Sequence, residues 1–182
     1  TAMFFSAAVI LQAAQFDLAD SFDQEGTLFE KLTPANLQNN SILKAGSNFK
    51  WLSYKRDAAR YQALRRENIT FFSEAVPEAI VRFKDGKLSR IYIAVYNKGD
   101  SVPITDEEEF EQKIEVLTKK LSEKTGVSPQ ENQRRLGSRA KVKMRIWNTP
   151  ALSYQLRWSS SDRDSFLAEY ILVTIEKNQG AQ

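Results

Sequence analysis

The stretch that decides the fold runs from residue 78 to residue 96 and reads EAIVRFKDGKLSRIYIAVY. Two runs rich in β-branched and aromatic residues flank the segment Lys84–Lys87. The Asp85-Gly86 pair at its centre is typical of a two-residue type I′ turn. The sequence therefore predicts a β-hairpin. Its return strand, Leu88–Tyr96, is apolar at both odd and even positions, which predicts burial on both faces.

A long helix is predicted after this hairpin, over residues 105–125. Its apolar residues recur every three or four positions, as expected for one side of a helix: Phe110, Ile114, Leu117 and Leu121. Thr105 with Glu108 matches a capping box, and Gly126 is the residue expected just past a helix end.

The last third of the chain indicates strands. Apolar Val142, Met144 and Ile146 alternate with basic residues, and the stretch from 152 to 158 alternates in the same way after a break at Asn148-Thr149-Pro150. A final apolar strand covers 167–175. Such alternation is typical of an antiparallel sheet that is wet on one side. The predicted fold class is α+β, with an antiparallel sheet of about five to six strands packed against one long helix over about 105–125.

Less regular sequence surrounds these elements. A short helix is predicted at 26–32, and a second helical spacing, Ala59, Ala63 and Leu64, falls within 56–66. Residues 128–138 are interpreted as a polar, basic loop. The predicted organisation is an N-terminal segment 1–15, a loop-rich segment 16–48 within a mixed helical and loop N-terminal third, an α+β domain 49–177 and a polar tail 178–182.

The first 15 residues are mostly apolar or small, and no Lys or Arg occurs among the first 30. They are either a signal-peptide remnant or an apolar helix packed on the domain. The run is shorter than the ~20 residues that cross a bilayer, so no membrane span is expected in the mature chain. The export interpretation predicts a periplasmic or secreted protein.

Composition excludes several kinds of chemistry. The 182 residues include no Cys and no His. Thiol nucleophiles, disulfides, Cys/His zinc sites and imidazole-based catalysis are therefore excluded. Glycine motifs for nucleotide phosphates are absent too, so no cofactor or metal is expected.

A cationic strand is the main candidate binding site. The net charge is only +3, yet six basic residues and no acidic one lie between 134 and 145. If a hairpin turns at 148–151, four cations should share one wet side of the sheet with one aromatic residue: Lys141, Lys143, Arg145, Arg157 and Trp147. This side either binds an anionic polymer or an acidic partner, or is simply a solvated face. Nucleic acid is not favoured, because Tyr154 and Trp158 are predicted to point the other way.

Acidic residues allow weaker alternatives. Glu67, Glu74 and Glu78 flank strands, so a carboxylate pair acting on glycans is one alternative, although 23 acidic residues would supply such candidates by chance. Asn97, Asp100 and Asp106 could converge on a cation, but their spacing matches no calcium loop and indicates a turn that leads into the helix.

The succession of turns and aromatic residues within about 49–176 resembles an uncharacterised bacterial domain. The residues that carry the resemblance are Val76-Pro77-Glu78, Phe83 to Arg90, Tyr96 to Asp100, Trp147, Tyr154 to Trp158 and Glu169-Tyr170. That domain lies in the N-terminal region of exported proteins, some of which continue into a papain-like cysteine peptidase domain. The peptidase Cys and His are absent here, so the resemblance implies a non-catalytic role.

Three functional hypotheses follow. The first is a non-enzymatic, exported binding or accessory domain of unknown ligand that supports an adjoining peptidase. The second is a carboxylate-dependent hydrolase that acts on glycans, and the third is an anionic-polymer-binding module. A close carboxylate pair in a deep cleft would favour the hydrolase.

Overall fold

The computed structural model describes residues 16–37, 52–55, 57–62, 69–136, 140–161 and 166–178. In chain order its elements are β1 (Phe16–Asp17), a 3-10 helix (Leu18–Ser21), α1 (Thr27–Lys31), β2 (Leu52–Lys55), β3 (Ala58–Gln62), β4 (Ile69–Phe71), β5 (Glu74–Ala75), β6 (Glu78–Lys84), β7 (Lys87–Asn97), α2 (Glu107–Thr125), β8 (Gln130–Leu136), β9 (Ala140–Asn148), β10 (Leu152–Ser161) and β11 (Leu167–Lys177). The predicted N-terminal segment 1–15 lies outside the described residues.

Eight strands form one antiparallel sheet in the order β2-β3-β6-β7-β11-β10-β9-β8. The sheet consists of two antiparallel four-stranded halves, one from each side of α2 in the sequence. The halves meet where β7 pairs with β11, from Arg90 opposite Glu176 to Asn97 opposite Tyr170. The predicted α+β class with an antiparallel sheet is confirmed.

The central hairpin forms as predicted. β6 and β7 pair in antiparallel fashion up to Lys84 opposite Lys87. The two turn residues have left-handed backbone angles, with φ of 53° at Asp85 and 75° at Gly86. Positive φ at both central positions is what a type I′ turn requires.

Helix α2 covers one face of the sheet, and its four predicted apolar residues are buried. The predicted capping residue Thr105 is wrong by one position, because the side chain of Asp106 accepts the hydrogen bond from the Glu108 backbone N–H at 2.8 Å. Gly126 ends the helix with a φ of 70°, as predicted.

The N-terminal segment covers the other half of the same face. The predicted short helix is present as α1, between Gly26 and Leu32, and the Leu88 backbone N–H donates to the Leu32 carbonyl at 3.1 Å. We call this side of the sheet the covered face. Its strand residues form the core with α1, the 3-10 helix and α2, and include Ala79, Val81, Ile91, Ile93, Tyr154, Leu156, Val173 and Ile175.

Two predicted non-strand segments are strands, which is why the sheet has eight strands rather than five to six. The helical spacing at Ala59 was misleading, because Ala58–Gln62 pairs with β6 as strand β3. The predicted polar loop at 128–138 contains the edge strand β8, paired along β9 from Gln130 opposite Ile146 to Leu136 opposite Ala140. Strand β8 is polar on both sides and lies at the edge of the sheet, so its sequence has no alternation of apolar residues. Only its backbone pairing with β9 identifies it as a strand.

A second, three-stranded sheet joins β1, β4 and β5. Its tight turn has positive φ at two non-glycine residues, 54° at Phe72 and 69° at Ser73. The carboxylate of Asp17 accepts from both of their backbone N–H groups, at 3.0 and 2.7 Å, and from the Thr70 hydroxyl at 3.0 Å. These bonds stabilise a backbone conformation that side chains normally disfavour.

None of the helices in the described ranges is both long and apolar enough to cross a membrane.

Candidate binding surface

The pairing of β9 with β10 determines which side chains share a face. Arg145 lies opposite Leu156, and Arg157 lies opposite Met144. Directly opposed residues share a face, whereas neighbours along a strand point to opposite faces. Arg145 therefore lies on the covered face with Leu156, and Arg157 lies on the other side with Met144.

The prediction that Arg157 shares a face with Lys143 and Arg145 is therefore wrong. The turn sets the pairing so that Asn148 faces Ser153, and odd-numbered residues oppose even-numbered ones. A change of one residue in register moves every side chain of a strand to the other face. Of the Lys141 side chain nothing is described, although its backbone pairs with Ser160.

The basic side of β9 contacts α2 rather than solvent. Arg145 is only 16% exposed and forms ion pairs with Glu115 on α2, at 2.7 Å, and Glu131 on β8, at 3.1 Å. Its guanidinium also lies over the Trp158 ring, 5.4 Å from the centroid. Burial alone would lower the pKa of Arg145, but the two glutamates raise it overall.

The other two predicted site residues on this side are also engaged. Lys143 lies 3.5 Å from the Glu111 carboxylate. Trp147 is fully buried, and its indole N–H donates to the Ser122 hydroxyl at 3.0 Å. Trp147 is therefore a core residue, and a ligand that binds from solvent cannot contact its side chain.

A cavity of about 330 Å³ lies at this end of the covered face, between α2 and β8–β10. Two of its lining carboxylates, Glu111 and Glu131, are bound to Lys143 and Arg145. A glycosidase pair needs one free nucleophile or base and one proton-bearing acid. The arrangement provides ion pairs instead.

The opposite side of the sheet carries the apolar residues of β9. We call it the open face, because α1, the 3-10 helix and α2 pack on the opposite side of the sheet. Its half-buried apolar residues come from four strands, β6, β7, β9 and β11: Ile80, Tyr92, Met144, Ile146, Tyr170 and Leu172. Strand β9 is therefore reversed, since its charged side contacts the helix while Met144 and Ile146 lie half-buried on the opposite side, beside the buried Val142.

A chain of polar contacts crosses the centre of the open face. Gln155 donates to Glu176 at 3.1 Å, and Glu176 forms an ion pair with Arg90. Arg90 in turn donates to the Tyr92 hydroxyl at 3.0 Å. The guanidinium carbon of Arg82 also lies 5.9 Å from the centroid of that ring. Tyr92 therefore contacts two guanidinium groups, those of Arg82 and Arg90.

Two arginines on inner strands of the open face, Arg82 and Arg157, have no carboxylate partner among the described residues. Their Nε atoms are shielded from solvent and have no hydrogen-bond acceptor there, and the hydroxyl of Thr174 between them is likewise unpaired. By contrast, Arg60 and Arg90 on the same face pair with Glu78 and Glu176. An unpaired, shielded polar group costs roughly 1–3 kcal/mol of stability.

The remaining predicted acidic sites are occupied by structural contacts. Glu74 pairs with Lys113, and Glu67 lies outside the described residues. Asp100 accepts a hydrogen bond from Asn97 at 2.8 Å, while Asp106 caps α2. Within the described ranges, no three acidic residues are placed to hold a metal ion together.

Comparison with models of protein families, with characterised proteins and with solved structures finds no match to this chain. The resemblance to the bacterial exported domain therefore stays a prediction.

Sequence reasoning missed most of this surface. Of the residues predicted for the cationic site whose side chains are described, only Arg157 lies on the open face. Arg82 and Tyr92 were part of the hairpin that predicted the fold, and their alternation at even positions, Ile80, Arg82, Arg90 and Tyr92, is the signal that could have indicated a mixed polar and aromatic face.

Proposed function

We propose that this chain is a non-enzymatic binding or accessory domain that holds its partner on the open face of the sheet. The observation that carries the proposal is the reversed strand β9, which directs Met144 and Ile146 outward and buries Arg145 under α2. Departures from the usual inside–outside pattern concentrate at functional surfaces. Exposed apolar patches rimmed by polar residues commonly mark interaction sites.

The unpaired arginines support the same surface. Arg82 and Arg157 form no ion pair within the described ranges, and their shielded, unpaired Nε atoms reduce the stability of the fold. A polar group left unsatisfied in a folded protein calls for an explanation, and in this proposal a partner's acidic groups pair with these two guanidinium groups. In this proposal the chain is exported and supports an adjoining catalytic domain, such as the peptidase domain of the proteins that it resembles.

A carboxylate-dependent glycan hydrolase is the second candidate, and the cavity beside Glu111 and Glu131 is the observation that favours it. It is the weaker of the two, because both carboxylates already bind a cation.

One titration separates the candidates. The amide NMR signals of the labelled protein are followed while polyglutamate, heparin or a neutral oligosaccharide is added. The binding proposal expects at least one probe to shift amides around Tyr92, Arg157 and Leu172, with the oligosaccharide left intact. Shifts confined to Glu131 and Lys143, with release of reducing sugar, would establish the hydrolase. No shift with any probe would reject the binding face.

A further inference from the structure

We infer that the partner on the open face is a protein segment that presents two carboxylates on either side of an apolar centre. The inference rests on the proposed function and identifies the chemistry of the ligand. Its basis is the placement of the unpaired arginines relative to each other and to the residues between them.

The two guanidinium groups are too far apart for one small ligand. Arg82 on β6 and Arg157 on β10 are three strands apart in the order β6-β7-β11-β10. Across that order, Arg82 is in line with Arg90, Glu176 and Ser153, four residues along β10 from Arg157. At ~4.8 Å between strands and ~3.4 Å per residue, their backbones are roughly 20 Å apart.

The surface between the two arginines carries Tyr92 and Leu172 beside the Arg90–Glu176 ion pair. The diagonal from Arg82 to Arg157 crosses Tyr92 on β7 and Leu172 on β11, with Thr174 beside them. An extended peptide advances ~3.4 Å per residue, so two carboxylates about six residues apart would reach both guanidinium groups. The residues between them would cover Tyr92 and Leu172.

The charge balance of the face favours such a segment over a uniform polyanion. Glu78 and Glu176 on the same face already pair with Arg60 and Arg90, so the unpaired guanidinium groups of Arg82 and Arg157 stand at two separate points rather than in a continuous row. Arginine pairs with a carboxylate through two parallel hydrogen bonds. Carboxylates at two points would therefore pair with the terminal nitrogens of Arg82 and Arg157, whose guanidinium groups have no ion pair among the described residues and whose Nε atoms are shielded from solvent.

The experiment uses fluorescein-labelled heptapeptides and fluorescence polarisation with the full chain. The test peptide has glutamate at both ends and Val-Thr-Tyr-Thr-Val between them, and one control has glutamine at both ends. A second control has both glutamates adjacent at one end. We expect the test peptide to bind at least tenfold more tightly than either control.

Variants assign the binding to the two arginines. Arg82→Gln and Arg157→Gln should each weaken the test peptide about tenfold, and their effects should multiply because the sites are far apart. Arg134→Gln is the matched control, because Arg134 is exposed on the open face at the outer strand β8. It should change the affinity less than twofold.

Three outcomes overturn the inference: equal affinity for the glutamine peptide, equal affinity for the adjacent-glutamate peptide, or binding that neither arginine variant weakens. If heparin or an oligosaccharide binds instead and Arg82→Gln abolishes that binding, the open face remains a binding surface and only the protein partner is rejected. If neither the peptides nor those probes bind, the proposed function fails as well. Far-ultraviolet circular dichroism confirms that each variant is folded.

Discussion

The two faces of the sheet place opposite demands on the same strands. On the covered face, even charged side chains are paired, as Arg145 is with Glu115 and Glu131. On the open face, the side chains of Arg82 and Arg157 have no ion pair among the described residues, and their Nε atoms have no hydrogen-bond partner. Charged groups on the covered face therefore stabilise the fold, whereas the guanidinium groups of Arg82 and Arg157 on the open face remain available to a partner. Matched substitutions on the two faces test this difference.

The largest expected difference involves two leucines on adjacent strands. Leu156 is fully buried on the covered face, whereas Leu172 is half-buried on the open face. Leu156→Ala should lower the free energy of unfolding by ~3–4 kcal/mol through a cavity in the core, and Leu172→Ala by only about 1 kcal/mol. Urea unfolding followed by circular dichroism measures both. Equal losses would mean that the open face is packed as part of the core.

Alkaline pH should distinguish the faces next. Burial, helped by the charge of Asp23, raises the pKa of Tyr154 on the covered face from 10.0 to about 12. The folded protein therefore holds the Tyr154 proton more tightly than the unfolded chain does. The stability that this protonated hydroxyl contributes is fully present below pH 10, and it is lost as the pH rises towards 12. The loss is ~2–3 kcal/mol.

Tyr154→Phe should remove that part of the alkaline destabilisation. Tyr170→Phe is the open-face control: burial also raises the pKa of Tyr170, but the positive charge of Arg157 counteracts it. The measurement is the unfolding free energy of each variant between pH 8 and pH 11.5. A wild type and a Tyr154→Phe variant that lose stability in parallel would contradict the assignment.

Replacing one arginine on each face should give effects of opposite sign. Arg145→Met leaves two glutamates without their cation and should cost ~1–2 kcal/mol. Arg157→Met removes a shielded, unpaired Nε and should be neutral or stabilise by up to ~1 kcal/mol. Thermal unfolding of the two variants at one pH gives the comparison. Destabilisation by Arg157→Met would show that this arginine serves the fold rather than a partner.

The smallest effect concerns the exposed pair at the rim of the covered face. Lys143 and Glu111 are 51% and 42% exposed. Lys143→Gln should therefore change stability by less than ~0.5 kcal/mol, and the change should disappear in 0.5 M salt. A larger, salt-resistant loss would mean that this pair closes the cavity beside it.

The sequence predicted those elements whose structure depends only on residues close together in the chain. The Asp85-Gly86 turn and the stripe from Phe110 to Leu121 each follow from backbone preference and periodicity within one element. Strand β3 was missed because Ala59 fits a helical spacing as well as a strand, and only its pairing with β6 distinguishes them.

The candidate site could not be predicted because it depends on register. Alternation in β9 indicates two dissimilar sides, but it does not show which side contacts α2. Trp147 is buried beside Ser122, and this determines which side of β9 contacts α2. Because alternate residues of a strand share a face, Lys143 and Arg145 lie on that same side. One large aromatic residue thereby outweighed three smaller apolar residues, Val142, Met144 and Ile146.

The junction of β7 with β11 also has a kinetic consequence. Within each half of the sheet, strands pair with near neighbours in sequence, but Asn97 must find Tyr170 with α2 and three strands between them. Closing so long a loop is entropically costly before any contact compensates for it. We therefore expect the two halves to form early as separate hairpin arrays, and the folding rate to be limited by their pairing along Ile91, Ile93 and Val173.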